Sequence, residues 1–267
     1  MRVTFNNAMQ CIALFDEVHG TGNPADFYNP DAFVNVFKRI NPDILCLAEV
    51  PFETDTGQSY FIDALSKQLG LSFSHSVIGD QSWLNEGKWY GLSVLSRWKI
   101  QNYRVVTFSN PQLTTRWHNG KTYALHDKHA QLCDIITPLG SVEIINLHGF
   151  PFHKFKRRIQ EFPTVLSEIE QLLTGSDRPL IVCGDFNNKA NPIEELFPNS
   201  IGPTSLRNTV RFSMNDYFPE EINGQIDHIL CDRRFLLEKT SVEKGLSDHP
   251  ILTVDLERPK MLWPHLL

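Results

Sequence analysis

The segment Leu180-Ile-Val-Cys-Gly-Asp-Phe-Asn-Asn188 joins an apolar run to two side chains suited to handling water. Gly184 lets the backbone turn tightly, and Asp185 and Asn187, one residue apart, can project to the same side of an extended chain. A carboxylate beside an amide can hold a water between them, one accepting its proton and the other fixing its orientation. The same residues also fit an Asx-rich turn that ends a strand.

A second segment, Gly245-Leu-Ser-Asp-His-Pro-Ile-Leu252, places Asp248 next to His249 just before an apolar run. Neighbours on an extended chain point to opposite sides, so Asp248 is poorly placed to orient His249. Asp227, in Gln225-Ile-Asp-His-Ile-Leu230, is the better candidate for that task, which frees Asp248 to face a cation. In Val142-Glu-Ile-Ile-Asn-Leu-His148, alternation puts His148 at a strand end on the face of Val142, Ile144 and Asn146. Glu49 follows Ile-Leu-Cys-Leu-Ala, and a carboxylate finishing a buried strand is costly unless paired or metal-bound. Asn6, in the first strand, completes the candidates.

Several short runs read as the strands that must position these groups: Cys11–Phe15, Ile44–Ala48, Leu92–Leu95, Leu132–Ile136, Val142–Leu147, Leu180–Cys183, Ile226–Leu230 and Ile251–Leu256. Helical spacing appears after Pro30, with Phe33, Val36, Phe37 and Ile40 on one face and Asn41-Pro42 closing it. A second helix carries Phe61, Ile62, Leu65 and Leu69 and ends near Gly70. A third is expected from about Phe155 to Leu173, kinked or restarted at Pro163, which lacks a donor N–H. The stretches ending at Glu49 and Asp185 echo each other, each placing an acid at a buried strand end after a helix. Strand ends beneath loops are where such folds place their chemistry.

With 267 residues, 41% hydrophobic, the chain is expected to fold as one domain over 1–267 around a sizeable core. Its 25 basic and 31 acidic residues give a net charge of −6, which argues against a surface coated for nonspecific nucleic-acid binding. No apolar run is long enough to span a membrane. Cys11, Cys46, Cys133, Cys183 and Cys231 are odd in number and form no C-x-x-C, which reads as buried thiols in a reducing compartment. With no secretory leader visible, a cytoplasmic location is expected.

The ordered set Thr-Phe-Asn6, Leu-Ala-Glu49-Val, Gly-Leu-Ser-Val-Leu-Ser-Arg97, Asn-Leu-His148, Gly-Asp185-Phe-Asn187, Ile-Asp227-His and Ser-Asp248-His249-Pro resembles the endonuclease/exonuclease/phosphatase superfamily, from residue 2 to 256. The resemblance implies a four-layer α/β/β/α sandwich of two mainly antiparallel sheets flanked by helices. It implies that Asn6, Glu49 and Asp248 lie on the metal side, where hard oxygen ligands suit Mg²⁺, with Mn²⁺ as a substitute. Asp185 and Asn187 would position the attacking water, and Asp227 would orient His249. His249 would act as base or bind the scissile phosphate, and His148 would steady a phosphate oxygen or protonate the leaving group. Whether Asp185 or His249 takes the proton stays open.

The activity so implied is Mg²⁺-dependent, in-line phosphoester hydrolysis, first of all a phosphodiesterase or nuclease with DNA, RNA or a nucleotide as partner. A phospholipid or inositol-phosphate phosphoesterase is the alternative, and a binding module without turnover the third reading. Two departures from the family pattern bear on substrate class: His148-Gly-Phe-Pro replaces the usual His-Leu, and His228 stands where many members carry an aromatic residue. Substrate-facing loops are expected at Asp80–Tyr90 with Trp83 and Trp89, at Thr114–Lys121 with Arg116, Trp117 and His118, at His126–His129 with Lys128, and at His153–Arg158.

Overall fold

The computed structural model describes residues 1–13, 24–82, 84, 87–116, 122–212 and 225–258. In chain order the elements begin with β1 (Arg2–Asn7), α1 (Pro30–Ile40), β2 (Ile44–Phe52), α2 (Tyr60–Leu69), β3 (Phe73–Gln81), β4 (Trp89–Ser96) and β5 (Ile100–Thr107). A short hairpin of β6 (Thr114–Arg116) and β7 (Thr122–Ala124) precedes β8 (His129–Thr137) and β9 (Gly140–His148). Then come α3 (Pro163–Thr174), β10 (Leu180–Asp185), α4 (Ile193–Leu196), β11 (Leu206–Asn208), β12 (Asp227–Asp232), β13 (Leu236–Glu243) and β14 (Ile251–Glu257).

Two six-stranded sheets result, ordered β13-β14-β1-β2-β4-β3 and β11-β12-β10-β9-β8-β5. Within these two sheets the β1–β2 and β9–β10 ladders run parallel and the other described ladders antiparallel. The inner faces meet in an apolar layer containing Val3, Phe5, Cys46, Val94, Ile144, Cys183, Ile229 and Val254. On the outside of the first sheet, α1 and α2 bury Phe33, Phe37, Phe61 and Leu65 against Leu45, Leu47 and Leu95. On the outside of the second, α3 buries Val165, Ile169 and Leu172 against Ile145, Leu147 and Val182. At about 1.5–3 kcal/mol for each large apolar side chain removed from water, these layers dominate the stability. The four-layer sandwich expected from the resemblance is the fold observed.

Local sequence sets the helix ends. Asn29 caps α1 by accepting from the Ala32 N–H at 3.1 Å, Pro30 occupies the first turn, and Asn41 stops the helix in the left-handed region at φ 54°. Ser59 caps α2 in the same way, and Gly70 ends it at φ 67°.

Two expectations need correction. The third helix starts at Pro163, not near Phe155; residues 152–155 and 159–161 form short 3-10 turns, with Phe152 stacked on Phe162 at 4.4 Å. The apolar run Cys11–Phe15 does not form a strand in its described part. There the chain makes a left-handed turn, with Met9, Gln10 and Cys11 at φ 42–59°, which carries it from β1 under α1. All five cysteines are free and buried. Among the described residues no helix is long and apolar enough to cross a membrane.

Candidate active site

The parallel ladders β1–β2 and β9–β10 stop at Asn7 opposite Ala48 and at Asp185 opposite His148, with Glu49 the next residue of β2, while β12 starts at Asp227 and β14 follows His249. Asn7, Glu49, His148, Asp185, Asp227 and His249 therefore gather at one end of the sandwich, between the sheets. The register makes this explicit: Asp185 lies opposite His148 on one side and Asp227 on the other.

Glu49 reaches the site through a bulge. The β2–β4 register slips between Leu47 and Val50, and Glu49 takes φ 50°, a conformation that costs a non-glycine residue about 1–3 kcal/mol. Asn146, on the inner face of β9, donates across the sandwich to Leu47 O at 2.9 Å and Ser93 O at 3.1 Å, pinning the strands beside that bulge. Glu49 Oε1 then lies 3.6 Å from His148 Nε2 and 3.4 Å from Asn7 Nδ2.

The structure moves one position in β1. Asn6 faces away from the cluster, donating to His249 O at 3.4 Å and Pro250 O at 3.1 Å. Asn7 instead spans it, its amide reaching Asp185 Oδ2 at 3.1 Å as well as Glu49, while its Oδ1 accepts the Met9 N–H at 3.0 Å. Strand alternation is the reason: Val3 and Phe5 fill the inter-sheet layer, so Asn7 shares their face and Asn6 cannot.

Asp185 is the hub. Its Oδ1 accepts the Asn187 N–H at 2.8 Å, and its Oδ2 lies 3.7 Å from His148 Nε2 and 3.9 Å from His249 Nε2. Asn187 sits at φ 52° and donates its side-chain amide to Gly149 O at 3.1 Å. Asp227 accepts from His249 Nδ1 at 2.8 Å, leaving Nε2 to face Asp185 and, at 3.8 Å, Asp248 Oδ1. Burial alone would strip the His249 imidazole of its proton, but Asp227 above all, then Asp248 and Asp185, hold its pKa well above the ordinary value. His148 is the opposite case: burial, reinforced by the Lys128 charge, keeps it well below its ordinary value and so neutral.

Of the expected substrate-facing residues, Lys128 belongs to the site. Its Nζ lies 3.3 and 3.4 Å from the two ring nitrogens of His148 and 5.5 Å from the Tyr90 ring centre. Burial lowers its pKa to about 8, against the pull of Glu49 and Asp185. Trp89 does not join the cluster: it is half-buried at the start of β4, packed against the outer layer of the first sheet. Arg116 is exposed on the β6–β7 hairpin. Arg157 is tied to Glu161 at 2.6 Å. Trp83, Trp117, His118 and Lys121 lie outside the described residues. Sequence reasoning missed Asn7, for which the Val3–Phe5 alternation carried the signal; Tyr90, at the end of the expected Asp80–Tyr90 stretch, is the residue of that stretch that lies beside Lys128.

Two observations bear on a metal. Asp185, Asp227 and His249 offer ligand atoms within 4.8 Å of one another, but Asp227 and His249 already satisfy each other through a 2.8 Å hydrogen bond. The remaining carboxylates of the centre are Glu49 and Asp248, whose charges act on each other. Asp248 Oδ1 is buried without a hydrogen-bond partner, and burial raises the Glu49 pKa. Hard carboxylates at this end of the sandwich, one of them with an orphaned buried oxygen, fit a hard divalent cation.

A family model described as the Endonuclease/Exonuclease/phosphatase family matches residues 18–249. No curated protein matches the sequence. Among solved structures, an endonuclease/exonuclease/phosphatase from Beutenbergia cavernae is 17% identical at a TM-score of 0.66, covering 97% of this chain and 71% of its own. A mannosyl-6-phosphatase from Bacteroides thetaiotaomicron is 16% identical at 0.61, over 96% and 99% of the two chains. The human nocturnin catalytic domain is 17% identical at 0.59, over 97% and 93%. At these identities the structural likenesses establish the fold.

Proposed function

The chain belongs to the endonuclease/exonuclease/phosphatase family of phosphoester hydrolases, and from that premise we propose that it is a Mg²⁺-dependent phosphodiesterase acting on a nucleotide or nucleic acid. The observation that carries the reading is the convergence of two imidazole Nε2 atoms on one carboxylate oxygen, Asp185 Oδ2, at 3.7 and 3.9 Å. Such a centre presents a proton acceptor for water beside two groups able to hold phosphoryl oxygens.

In this mechanism Asp185 accepts the proton of the attacking water, and Asn187 orients that water through its side-chain oxygen. His249, fixed by Asp227, holds a phosphoryl oxygen through Nε2–H, where charge grows as the water attacks. Lys128 supplies a second positive charge on the His148 side. His148, neutral beside it, steadies the leaving oxygen. Glu49 and Asp248 would hold the metal ion, which when bound would neutralise charge on the phosphoryl group and leaving oxygen.

A smaller phosphoester, such as an inositol phosphate or lipid head group, is favoured by one specific observation. Many arginines that a polynucleotide surface would need are tied to carboxylates, among them Arg2, Arg157, Arg211 and Arg234. The test is incubation with Mg²⁺ and single- and double-stranded DNA, RNA, bis-p-nitrophenyl phosphate, sphingomyelin and inositol phosphates. Glu49→Ala and His249→Ala serve as controls. Polynucleotide or diester cleavage, lost in both variants and with EDTA, supports the first reading. Turnover restricted to lipid or inositol phosphates selects the second, and no turnover overturns both.

A further inference from the structure

Phe186 stands between the two residues assigned to the attacking water, and it is held on three sides. Its N–H donates to Ile226 O at 2.8 Å. Its carbonyl is pressed against Gly149, where a Cβ would lie 2.7 Å from the oxygen and 3.0 Å from the carbonyl carbon. Its ring meets His228 edge-on, with centroids 5.5 Å apart and planes at 85°.

Both flanking residues also touch the catalytic groups' own backbone. Gly149 donates its N–H to Asp185 O at 2.7 Å and accepts the Asn187 side-chain amide at 3.1 Å. His228, buried opposite Gly184, donates from Nε2 to Gln225 O at 3.1 Å. Gln225 in turn donates to Asp227 O and Val210 O, each at 2.8 Å. One imidazole thus packs against the loop of Asp185 and Asn187 and fastens the turn that launches Asp227. Gly149 and His228 are also the two places where the sequence departs from the usual family pattern. They meet at one residue, Phe186.

We infer that Gly149 and His228 are positioning residues that clamp Phe186 and so hold Asp185, Asn187 and Asp227 in mutual register. The inference rests on the catalytic roles proposed above for those three residues. A purely structural role would lower stability without coupling to the water-handling pair.

Two measurements decide it. Amide exchange by mass spectrometry compares peptides spanning 184–189 and 225–228 in wild-type protein, Gly149→Ala and His228→Ala, and can be read whether or not a substrate is turned over. Exchange there is expected to rise about tenfold or more while α1 and α2 stay protected. Kinetics on bis-p-nitrophenyl phosphate then compare His228→Ala with His228→Phe, which keeps the ring, and His228→Gln, which keeps a donor. The expected result is a kcat loss of about tenfold in His228→Ala with KM within about twofold, partly recovered by each conservative variant. In an Asn187→Ala background the His228→Ala loss should shrink to under about threefold, because both act on one loop. Unchanged local exchange, or losses that multiply in the double variant, would overturn the clamp. Absence of turnover by the wild type would instead refute the proposed activity, leaving exchange to judge the clamp.

Discussion

Replacing Asp227 with asparagine tests the proposed chemistry most directly. Asp227 is fully buried and touches His249 through a 2.8 Å hydrogen bond, so the isosteric change removes a charge while keeping shape. Carboxylate and imidazolium centres about 4 Å apart attract by about 4 kcal/mol at an effective dielectric of about 20. If most of that attraction sustains the charged imidazole facing the phosphoryl oxygen, Asp227→Asn should lower kcat by about 10²–10³-fold, at about 1.4 kcal/mol per tenfold. KM should change little, since the binding groups on the Lys128 side remain. The assay is steady-state hydrolysis of bis-p-nitrophenyl phosphate with saturating Mg²⁺, alongside a thermal melt to confirm folding. A folded Asp227→Asn protein retaining kcat within about threefold would show that the dyad contributes no transition-state charge, and the assigned role of His249 would fall.

Asn7→Ala should reduce kcat by about tenfold or more, whereas Asn6→Ala should lower the melting temperature with kcat nearly intact; equal kinetic losses would reverse the assignment. Lys128, with its pKa lowered to about 8, is charged below that pH, so activity should decline as pH rises through about 8 and Lys128→Met should abolish that limb. The stability sign is opposite: between about 8 and the ordinary 10.5 the unfolded chain binds the extra proton, so this group makes the fold more stable as pH rises. His228, held neutral by burial to about 3, must be protonated on unfolding below 6.5, so stability should fall on acidification. Its share of the loss is about 2 kcal/mol at pH 5 relative to neutral pH, and the total loss should be smaller by that amount in His228→Phe, as urea melts at the two pH values will show. Isothermal titration should find Mg²⁺ or Mn²⁺ binding weakened by about tenfold or more in Glu49→Gln, and EDTA should abolish turnover.

How far the sequence discloses such a site depends on which residues act through period and which through tertiary contact. Alternation alone put His148 on the face of Val142 and Ile144, and both line the inter-sheet layer. The adjacency argument that separated Asp248 from His249 led to Asp227, which holds the ring at 2.8 Å. Asn6 and Asn7 show the limit of motif over period: the motif favours the first asparagine, yet Val3 and Phe5 commit the odd positions to the interior. The third helix shows the limit of period alone. Ile159 and Phe162 fall at helical spacing, but Pro163 has no N–H to continue a helix through it and a fixed φ suited to starting one.

Glu49 was legible as a costly buried acid but not in its conformation, and the reason is physical. Ile44–Ala48 reads as a strand that Glu49 finishes, and nothing in the run Ile44-Leu-Cys-Leu-Ala-Glu calls for a left-handed residue at its end. What breaks the register is a second sheet: Asn146 takes the carbonyls of Leu47 and Ser93, and Asn7 and His148 meet the carboxylate that the bulge turns inward. A local code cannot contain that information, because the groups that offset the strain lie more than 40 residues away on either side. The same holds for Lys128, whose charge survives burial only because Glu49 and Asp185 face it. Strain at Glu49 and Asn187, both left-handed and both in contact with the centre, is therefore a property of the assembled ends of the two sheets. Releasing one side of the clamp at Phe186 should free Asn187 before Glu49, since Gly149 is the shared contact of that loop and the β9 terminus.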